Sequence, residues 1–307
     1  MLNGIKLYKK VVSKKDVYDV IKNKGNISLC IDNSKVISYK SLNQDLKNKI
    51  YGQDISIDKL TNYLVQKELL SKNECLSIYI SGSKLSGKRY FANKVAESII
   101  DKKNIIRIDG TEYFDYHMLS KLIGTTPGYL GYDNKDNIFE RIKDNPNSLI
   151  LIDSFDEGCI EFKNIFKRIL EYNYIEDAKG EKIDFSNSTI IFIEENKNMH
   201  NNMGFNNQIS NEEISGELKN ISLKLKLSKL DEKTIKNIIK TKIDIIVNKY
   251  SNISIIYTNN LVDEIYEKMD KNLTNIDLLI EKKLESKIAD AIINNEKTVK
   301  INEESLV

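Results

Sequence analysis

Reading hydrophobic against polar positions from the start of the chain, the first clear pattern is weak. Val12–Ile21 suits a short helix opening at Ser13, and Leu42, Leu46 and Ile50 repeat at helical spacing across residues 41–50. From Ile50 onward the pattern strengthens. A helix is predicted over Ile55–Glu68, then a strand over Leu76–Ser81 (LSIYIS) that runs into a glycine-containing loop, Gly82–Lys88, then a helix over Arg89–Ile100. A second strand, Asn104–Ile108, is followed by a helix and a Gly/Pro-rich loop, Gly124–Gly131. Ser148–Ile152 and Ser188–Ile193 are near-continuous apolar runs, as expected of parallel strands covered on both faces. Strands alternating with helices predict a doubly wound α/β sheet. A polar, Asn-rich stretch, Lys197–Ser215, reads as loop. Beyond it, helices are predicted at Asp231–Lys249, Thr258–Lys268 and Asn275–Asn294, with strands at Ile253–Tyr257 and Thr298–Ile301. The division is therefore a linker-like segment 1–48, a large α/β domain 49–228 and a small, mainly helical domain 229–307.

Composition narrows the function classes. Charged residues make up 30% of the chain, yet the formal net charge is only +2, so no overall field draws it to nucleic acid or an anionic membrane. No basic, aromatic-interleaved patch is present, which argues further against a nucleic-acid role. No apolar run reaches the ~20 residues of a membrane span. MLNGIKLYKK is not followed by the apolar stretch of a secretory signal, so the expectation is a soluble cytoplasmic protein. Cys30, Cys75 and Cys159 are scattered and His117 and His200 lack partners at ligand spacing, so neither a disulfide framework nor a Cys/His metal site is expected.

The loop Gly82-Ser83-Lys84-Leu85-Ser86-Gly87-Lys88-Arg89 carries the chemistry. It fits GxxxxGK, in which glycines let successive backbone N–H groups converge on phosphates at the start of a helix and the lysine reaches the β- and γ-phosphates. Its strand–loop–helix setting is the right one for that motif. The eighth position should be Ser or Thr, whose hydroxyl ligates Mg²⁺. Here it is Arg89, which cannot ligate a cation and either blocks the metal or replaces its charge. The competing reading is a loop that keeps its shape and binds nothing.

Several segments around this loop resemble, in order, the second ATPase domain of the Clp-type AAA+ unfoldases. They are IYGQD (Ile50–Asp54), RIDGTEYFDYHMLSKLIGTTPGYLGYD (Arg107–Asp133), LILIDSFDE (Leu149–Glu157) and DFSNSTIIFI (Asp184–Ile193), with IADAII (Ile288–Ile293) echoing the end of the family's lid. The resemblance implies an AAA+ P-loop parallel sheet flanked by helices, with a smaller helical lid. It implies ATP or ADP as cofactor, bound by Gly82–Arg89 together with Tyr51, Gly52 and Asp153. Asp153 would hold Mg²⁺ at the end of the third strand.

The same resemblance points to losses. The glutamate that polarises the attacking water is replaced by Ser154, a poor base at neutral pH. Asp156 and Glu157 are the nearby carboxylates that could substitute. Asn196 falls in the register of the first sensor, preceded by Glu194 and Glu195. The arginine finger aligns with Ile221, and the lid's sensor arginine with Thr274. Neither conclusion depends on fine alignment, because the arginines are Arg89, Arg107, Arg141 and Arg168 and none follows residue 168. Slow or absent turnover is expected, with a regulatory role in a Clp assembly. An active unfoldase using substituted residues and a non-enzymatic module that kept only the fold are the alternatives.

Two further motifs resemble interaction loops of the family. Gly128-Tyr129-Leu130-Gly131 resembles the pore loop, where an aromatic on a glycine-flanked backbone grips an unfolded polypeptide; the plain alternative is an exposed Gly-Tyr turn. Met203-Gly204-Phe205 resembles the tripeptide by which protease-linked members dock on ClpP, an apolar anchor entering a hydrophobic pocket, with a chance match as its rival. The implied partners are further Clp-type subunits in a homo- or hetero-oligomer, ClpP and a polypeptide substrate.

Overall fold

A computed structural model describes residues 33–70, 74–125, 137–194, 218, 220–250, 254–269, 273, 275–294 and 298–301. Its centre is a five-stranded, all-parallel sheet in the order β2-β3-β6-β1-β7, built from β1 (Leu76–Gly82), β2 (Ile105–Asp109), β3 (Leu149–Asp153), β6 (Thr189–Ile193) and β7 (Leu223–Leu227). Between β3 and β6 a small antiparallel hairpin, β4 (Tyr174–Glu176) and β5 (Lys182–Asp184), stands apart from it. Each central strand is buried along nearly its whole length, because helices cover both faces.

The two faces are packed differently. One carries the aromatic residues Tyr113, Phe139, Phe155, Phe162, Phe166 and Phe192. The other is aliphatic, with Phe91 the one fully buried aromatic ring there among the described residues. Helix α1 (Asn33–Lys49) and helix α2 (Asp54–Leu70) join the aliphatic side, with Leu46, Ile50, Ile57 and Leu60 in its core. The helix expected over residues 41–50 thus starts earlier, at Asn33, and packs on the sheet; the one expected over 12–21 lies outside the described residues. Helix α3 (Lys88–Ile99) buries Phe91, Ala92, Val95 and Ala96 on that side, at the helical spacing an amphipathic face needs. On the aromatic side α4 (Ile160–Tyr172) buries Phe162, Ile165, Phe166, Ile169 and Leu170, and it stops where Asn173 turns left-handed (φ +60°).

The C-terminal elements enclose their own core. Helix α5 (Glu232–Lys249) begins at Asp231, whose carboxylate accepts a hydrogen bond from the Thr234 N–H at 3.0 Å. Helices α6 (Asn259–Lys268) and α7 (Asn275–Ile293) complete the layer with the parallel pair β8 (Ser254–Tyr257) and β9 (Thr298–Ile301). Ile239, Ile243, Ile265, Ile280 and Leu284 form its fully enclosed centre.

Most predicted elements appear within a residue or two. The helix expected after β2 is instead two 3-10 turns, Gly110–Tyr113 and Tyr116–Leu119, and one short turn of α-helix, Ser120–Ile123. Asp109 and Asp115 start the 3-10 turns by accepting N–H bonds from Thr111 and His117, competing with a continuous helix. Strand β7, helix α4 and the β4–β5 hairpin have no counterpart in the sequence reading. Among the described residues no helix is long and apolar enough to cross a membrane.

Candidate functional site

The loop after β1 lies at the carboxyl end of the sheet, where ligands of open α/β folds bind. Its backbone has the features of a phosphate cradle. Gly87 is the N-cap of α3 with φ +76°, and a Cβ placed there would meet nothing within 4 Å. Leu85 is left-handed too (φ +66°), and its side chain packs against the C-terminal core. The Ser86 hydroxyl and N–H both turn back to the Ser83 carbonyl, at 2.8 and 3.3 Å. Gly82 cannot carry a side chain cheaply: a Cβ would lie 2.8 Å from Ser86 Oγ and 2.9 Å from the Leu227 carbonyl oxygen. Lys88, buried at 8% exposure, donates to the Gly82 carbonyl at 2.7 Å and more weakly to that of Ser83 at 3.4 Å.

Two neighbouring segments brace the loop. Gln53 is buried and its amide donates to the Ser86 carbonyl (3.1 Å) and the Ser228 carbonyl (2.7 Å), while its oxygen accepts from the Ser228 N–H (3.1 Å). That side chain ties the phosphate loop to the end of β7. The Leu230 N–H then donates to the Leu85 carbonyl at 3.1 Å, joining the loop to the segment that leads into α5. Gly52 (φ +73°) lies against this junction, since a Cβ would meet Leu230 Cδ2 at 2.9 Å, and the Tyr51 hydroxyl reaches Thr241 of α5 at 3.5 Å. Tyr51 and Gly52 thus sit where the sheet and the C-terminal helices meet.

The opposite side of the site is formed by the ends of β3 and β6. Asp153 closes β3 and Ser154 follows in the left-handed region (φ +48°), 3% exposed. Gly110, at the end of the neighbouring β2, makes room for that turn: a Cβ there would come within 2.3 Å of the Ser154 carbonyl oxygen. Arg89, in the first turn of α3, forms an ion pair through Nε with Asp153 Oδ2, and its Nη2 donates to Ser154 Oγ at 3.4 Å. The other Asp153 oxygen accepts the Ser154 N–H at 2.9 Å. At the end of β6, Glu194 is buried and its N–H donates to the Ile80 carbonyl at 3.1 Å. Burial pushes the Glu194 carboxyl above its ordinary range and the charge of Asp156 adds to this, while a Tyr79 hydrogen bond and the charge of Lys88 oppose it.

The two halves fit different ligands. The cradle fits phosphate: the glycine positions are open or backbone-packed, a helix N-terminus follows and Lys88 is adjacent. The rim does not fit Mg²⁺. The position that should offer a hydroxyl offers a guanidinium, and both oxygens of Asp153 are engaged, one by that guanidinium and one by the Ser154 N–H. Ser154 receives a hydrogen bond from Arg89 and has no described base beside it in its own bonds.

Of the remaining predicted residues, Ile221 is partly buried against the aromatic core. Arg107 is bonded to Asn93 of α3 at 2.9 Å. Arg141 lies in a short helix, Glu140–Asp144, and Arg168 in α4. Asn196, Thr274, Gly128–Gly131 and Met203–Phe205 lie outside the described residues. Sequence reasoning overlooked Gln53 and Gly110; both stand inside segments singled out for other residues, Gln53 within IYGQD and Gly110 directly after a strand, where a glycine signals close approach. Cys75 is buried, which pushes its thiol up to about 12 and leaves it unreactive.

Known proteins bear on this geometry. The model of the AAA domain (Cdc48 subfamily) matches residues 73–305. The chain is 27% identical over 291 residues to the chaperone protein ClpB of Staphylococcus epidermidis, covering 92% of this chain and 32% of the relative. It is 31% identical over 186 residues to the ATP-dependent Clp protease ATP-binding subunit ClpE of Lactococcus lactis subsp. lactis, covering 59% of this chain and 25% of that one. The chain thus spans about a third of the length of the ClpB relatives it matches. A cryo-EM reconstruction of closed-state Hsp104 with ATPyS and FITC casein has the same fold, with TM-score 0.70 and 24% identity over 89% of this chain and 52% of that one. With a family model matching most of its length and a sheet of the corresponding topology, this chain belongs to the AAA domain family, as a Clp-type AAA+ module.

Proposed function

We propose that this chain is a Clp-type nucleotide-binding module, acting in protein remodelling or Clp-dependent proteolysis, whose ATP hydrolysis is impaired. The observation that carries this is the Arg89–Asp153 ion pair, which occupies the place where a hydrolysing P-loop site assembles its metal. The backbone N–H groups of residues 83–88 bind and orient the phosphates, and Lys88 supplies a charge-assisted donor to them. Tyr51 and Gly52 line the nucleotide's other end, at the junction with α5. Among the described residues Ser154 is tied to Arg89 and is a poor base, and Glu194 is buried with its carboxyl held above the ordinary range. An arginine finger contributes about 10³- to 10⁵-fold in related phosphoryl transfer, and no arginine follows Arg168 to supply one from this chain.

The functional partners follow from the retained interaction loops. Tyr129, flanked by Gly128 and Gly131 next to Leu130, would grip a polypeptide in an oligomer of this chain or of this chain with other Clp subunits. Met203-Gly204-Phe205 would dock ClpP, and deleting these three residues should abolish ClpP binding measured by sedimentation.

Nucleotide binding and phosphate release, measured on the purified chain alone and mixed with a Clp unfoldase from the same organism, test the proposal. Binding with turnover below about 0.01 s⁻¹ is expected, against the ~1–10³ s⁻¹ of typical enzymes. Turnover of the isolated chain in that ordinary range would overturn impaired hydrolysis, and the absence of binding would leave a fold-only module. Stimulation that appears only in the mixture would show a site completed by a neighbouring subunit.

A further inference from the structure

We propose that the C-terminal core holds the phosphate loop in its binding form through Leu85, so that nucleotide binding and docking of the C-terminal layer stabilise each other. The inference rests on the reading of Gly82–Lys88 as a phosphate site and goes beyond it in assigning Leu85 as a positioning residue for that ligand.

Leu85 stands in a conformation that its side chain opposes. Among the described residues three non-glycine positions have positive φ: Leu85 (+66°), Ser154 (+48°) and Asn173 (+60°). Asparagine visits the left-handed region with some ease, but a bulky side chain there brings Cβ against the following carbonyl oxygen. A leucine keeps that conformation only where its surroundings over-determine it. Here those surroundings belong to the C-terminal core. The Leu85 side chain packs against the cluster that contains Leu230 and Ile235, and the Leu85 carbonyl accepts the Leu230 N–H at 3.1 Å.

Holding Leu85 and Ser86 sets the direction of the loop amides. A trans peptide is planar, with its C=O and the next residue's N–H pointing opposite ways. The Leu230 N–H on the Leu85 carbonyl therefore fixes the peptide that carries the Ser86 N–H, whose bond to the Ser83 carbonyl closes the turn at 3.3 Å. The Gln53 amide on the Ser86 carbonyl, at 3.1 Å, fixes the peptide that carries the Gly87 N–H, at the start of α3. Gln53 in turn holds Ser228, donating to its carbonyl at 2.7 Å and accepting its N–H at 3.1 Å. Two consecutive peptides of the cradle are thus fixed, directly or through Gln53, by residues 228–230, the segment that leads into α5. A ligand that needs the cradle form strengthens the docking of this segment by as much as the docking strengthens binding.

The experiment is calorimetric titration of the full chain with ADP in the variants Leu85→Gly, Leu85→Ala and Leu85→Met, followed by hydrogen exchange of the α5 amides with and without saturating ADP. Glycine is the decisive substitution, because it adopts the left-handed form freely and removes only the side chain's hold. Leu85→Gly should nonetheless weaken ADP binding at least about fivefold. Leu85→Ala, which keeps the strain and loses the anchor, should weaken it about tenfold or more, and Leu85→Met, apolar and of similar volume, should stay within about twofold of wild type. In the wild type ADP should slow α5 exchange at least about tenfold, and in saturated Leu85→Gly by less than about twofold. Far-ultraviolet circular dichroism confirms that each variant is folded, and the glycine variant carries the test if the alanine variant unfolds. ADP affinity in Leu85→Gly equal to or tighter than wild type, no slowing of α5 exchange in the wild type, or slowing undiminished in saturated Leu85→Gly overturns the inference and leaves the phosphate site intact. Absence of ADP binding to the wild type, or binding unchanged by Lys88→Ala, overturns the phosphate-site reading itself and the inference with it.

Discussion

The β1 side of the site and the β3–β6 side meet at the same end of one sheet, yet they are built from different material. On the β1 side the groups proposed to meet the ligand are backbone: left-handed Gly87 and Leu85, the Ser86–Ser83 turn and the first N–H groups of α3, braced by Gln53. On the other side they are side chains: Asp153, Ser154, Glu194 and the intruding Arg89. Backbone geometry survives substitution at non-glycine positions, because any residue supplies an N–H. Side-chain chemistry is lost with one change. A phosphate cradle can therefore persist in a chain whose metal and base positions have been replaced, the form we propose for this site.

The comparison can be broken most severely at glycine. A Cβ at Gly110 would meet the Ser154 carbonyl oxygen at 2.3 Å and its carbonyl carbon at 2.9 Å, both backbone atoms that no rotamer change can move. Gly110→Ala should cost about 3 kcal/mol, the upper range for overpacking, measured by urea denaturation. At Gly87 a Cβ meets nothing within 4 Å and only the left-handed conformation is strained, so Gly87→Ala should cost about 1–2 kcal/mol. Equal costs would mean that the rim is as open as the loop.

Next in size is Lys88→Ala. Removing a charge-assisted donor worth about 1.5–3 kcal/mol should weaken ADP binding roughly 10- to 100-fold. Stability should fall by about 1 kcal/mol, since the bonds to Gly82 and Ser83 stay within the lysine's own loop while loss of its charge leaves buried Glu194 less compensated. Calorimetry and a denaturation curve on the same sample separate the two effects.

How much of this was legible in the sequence follows the same divide. The central strands were readable because β1, β3 and β6 are buried on both faces and so appear as apolar runs. The cradle was readable because glycine spacing records backbone conformation directly. Strand β7 was not: in Leu223–Leu227 the leucines alternate with exposed Lys224 and Lys226, so this edge strand lacks the continuous apolar run of the buried strands. Helix α4 carries a regular apolar face and could have been found from Phe162, Phe166 and Ile169 alone. The β4–β5 hairpin has three residues per strand, below what periodicity can mark. The substitutions at Arg89 and Ser154 were visible as departures from a motif, but their pairing was not, since 64 residues separate Arg89 from Asp153 and only the fold brings them together.

A repaired rim sharpens the comparison further. Arg89→Thr with Ser154→Glu returns a hydroxyl and a carboxylate to the two altered positions. Phosphate release from this double variant should rise by no more than about tenfold, because the arginine finger, worth about 10³- to 10⁵-fold, is still absent after residue 168. Turnover near 1 s⁻¹ would show that the rim alone limits the chemistry.

The smallest effect belongs to Glu194, and its pH dependence identifies its cause. Burial, reinforced by Asp156, holds the folded carboxyl above its unfolded value. Between those two values the folded state binds more protons than the unfolded one, so stability falls as pH rises; the penalty is complete above the folded value and absent below the unfolded one. Glu194→Gln removes the ionisation while keeping the shape. It should therefore raise the thermal midpoint at about pH 7–8, and the gain should fade as the pH approaches 4, near the ordinary glutamate value. Loss of the Tyr79 and Lys88 interactions works against the gain, which keeps it small. A gain of equal size at both pH values would place the cost of Glu194 in its packing instead of its charge.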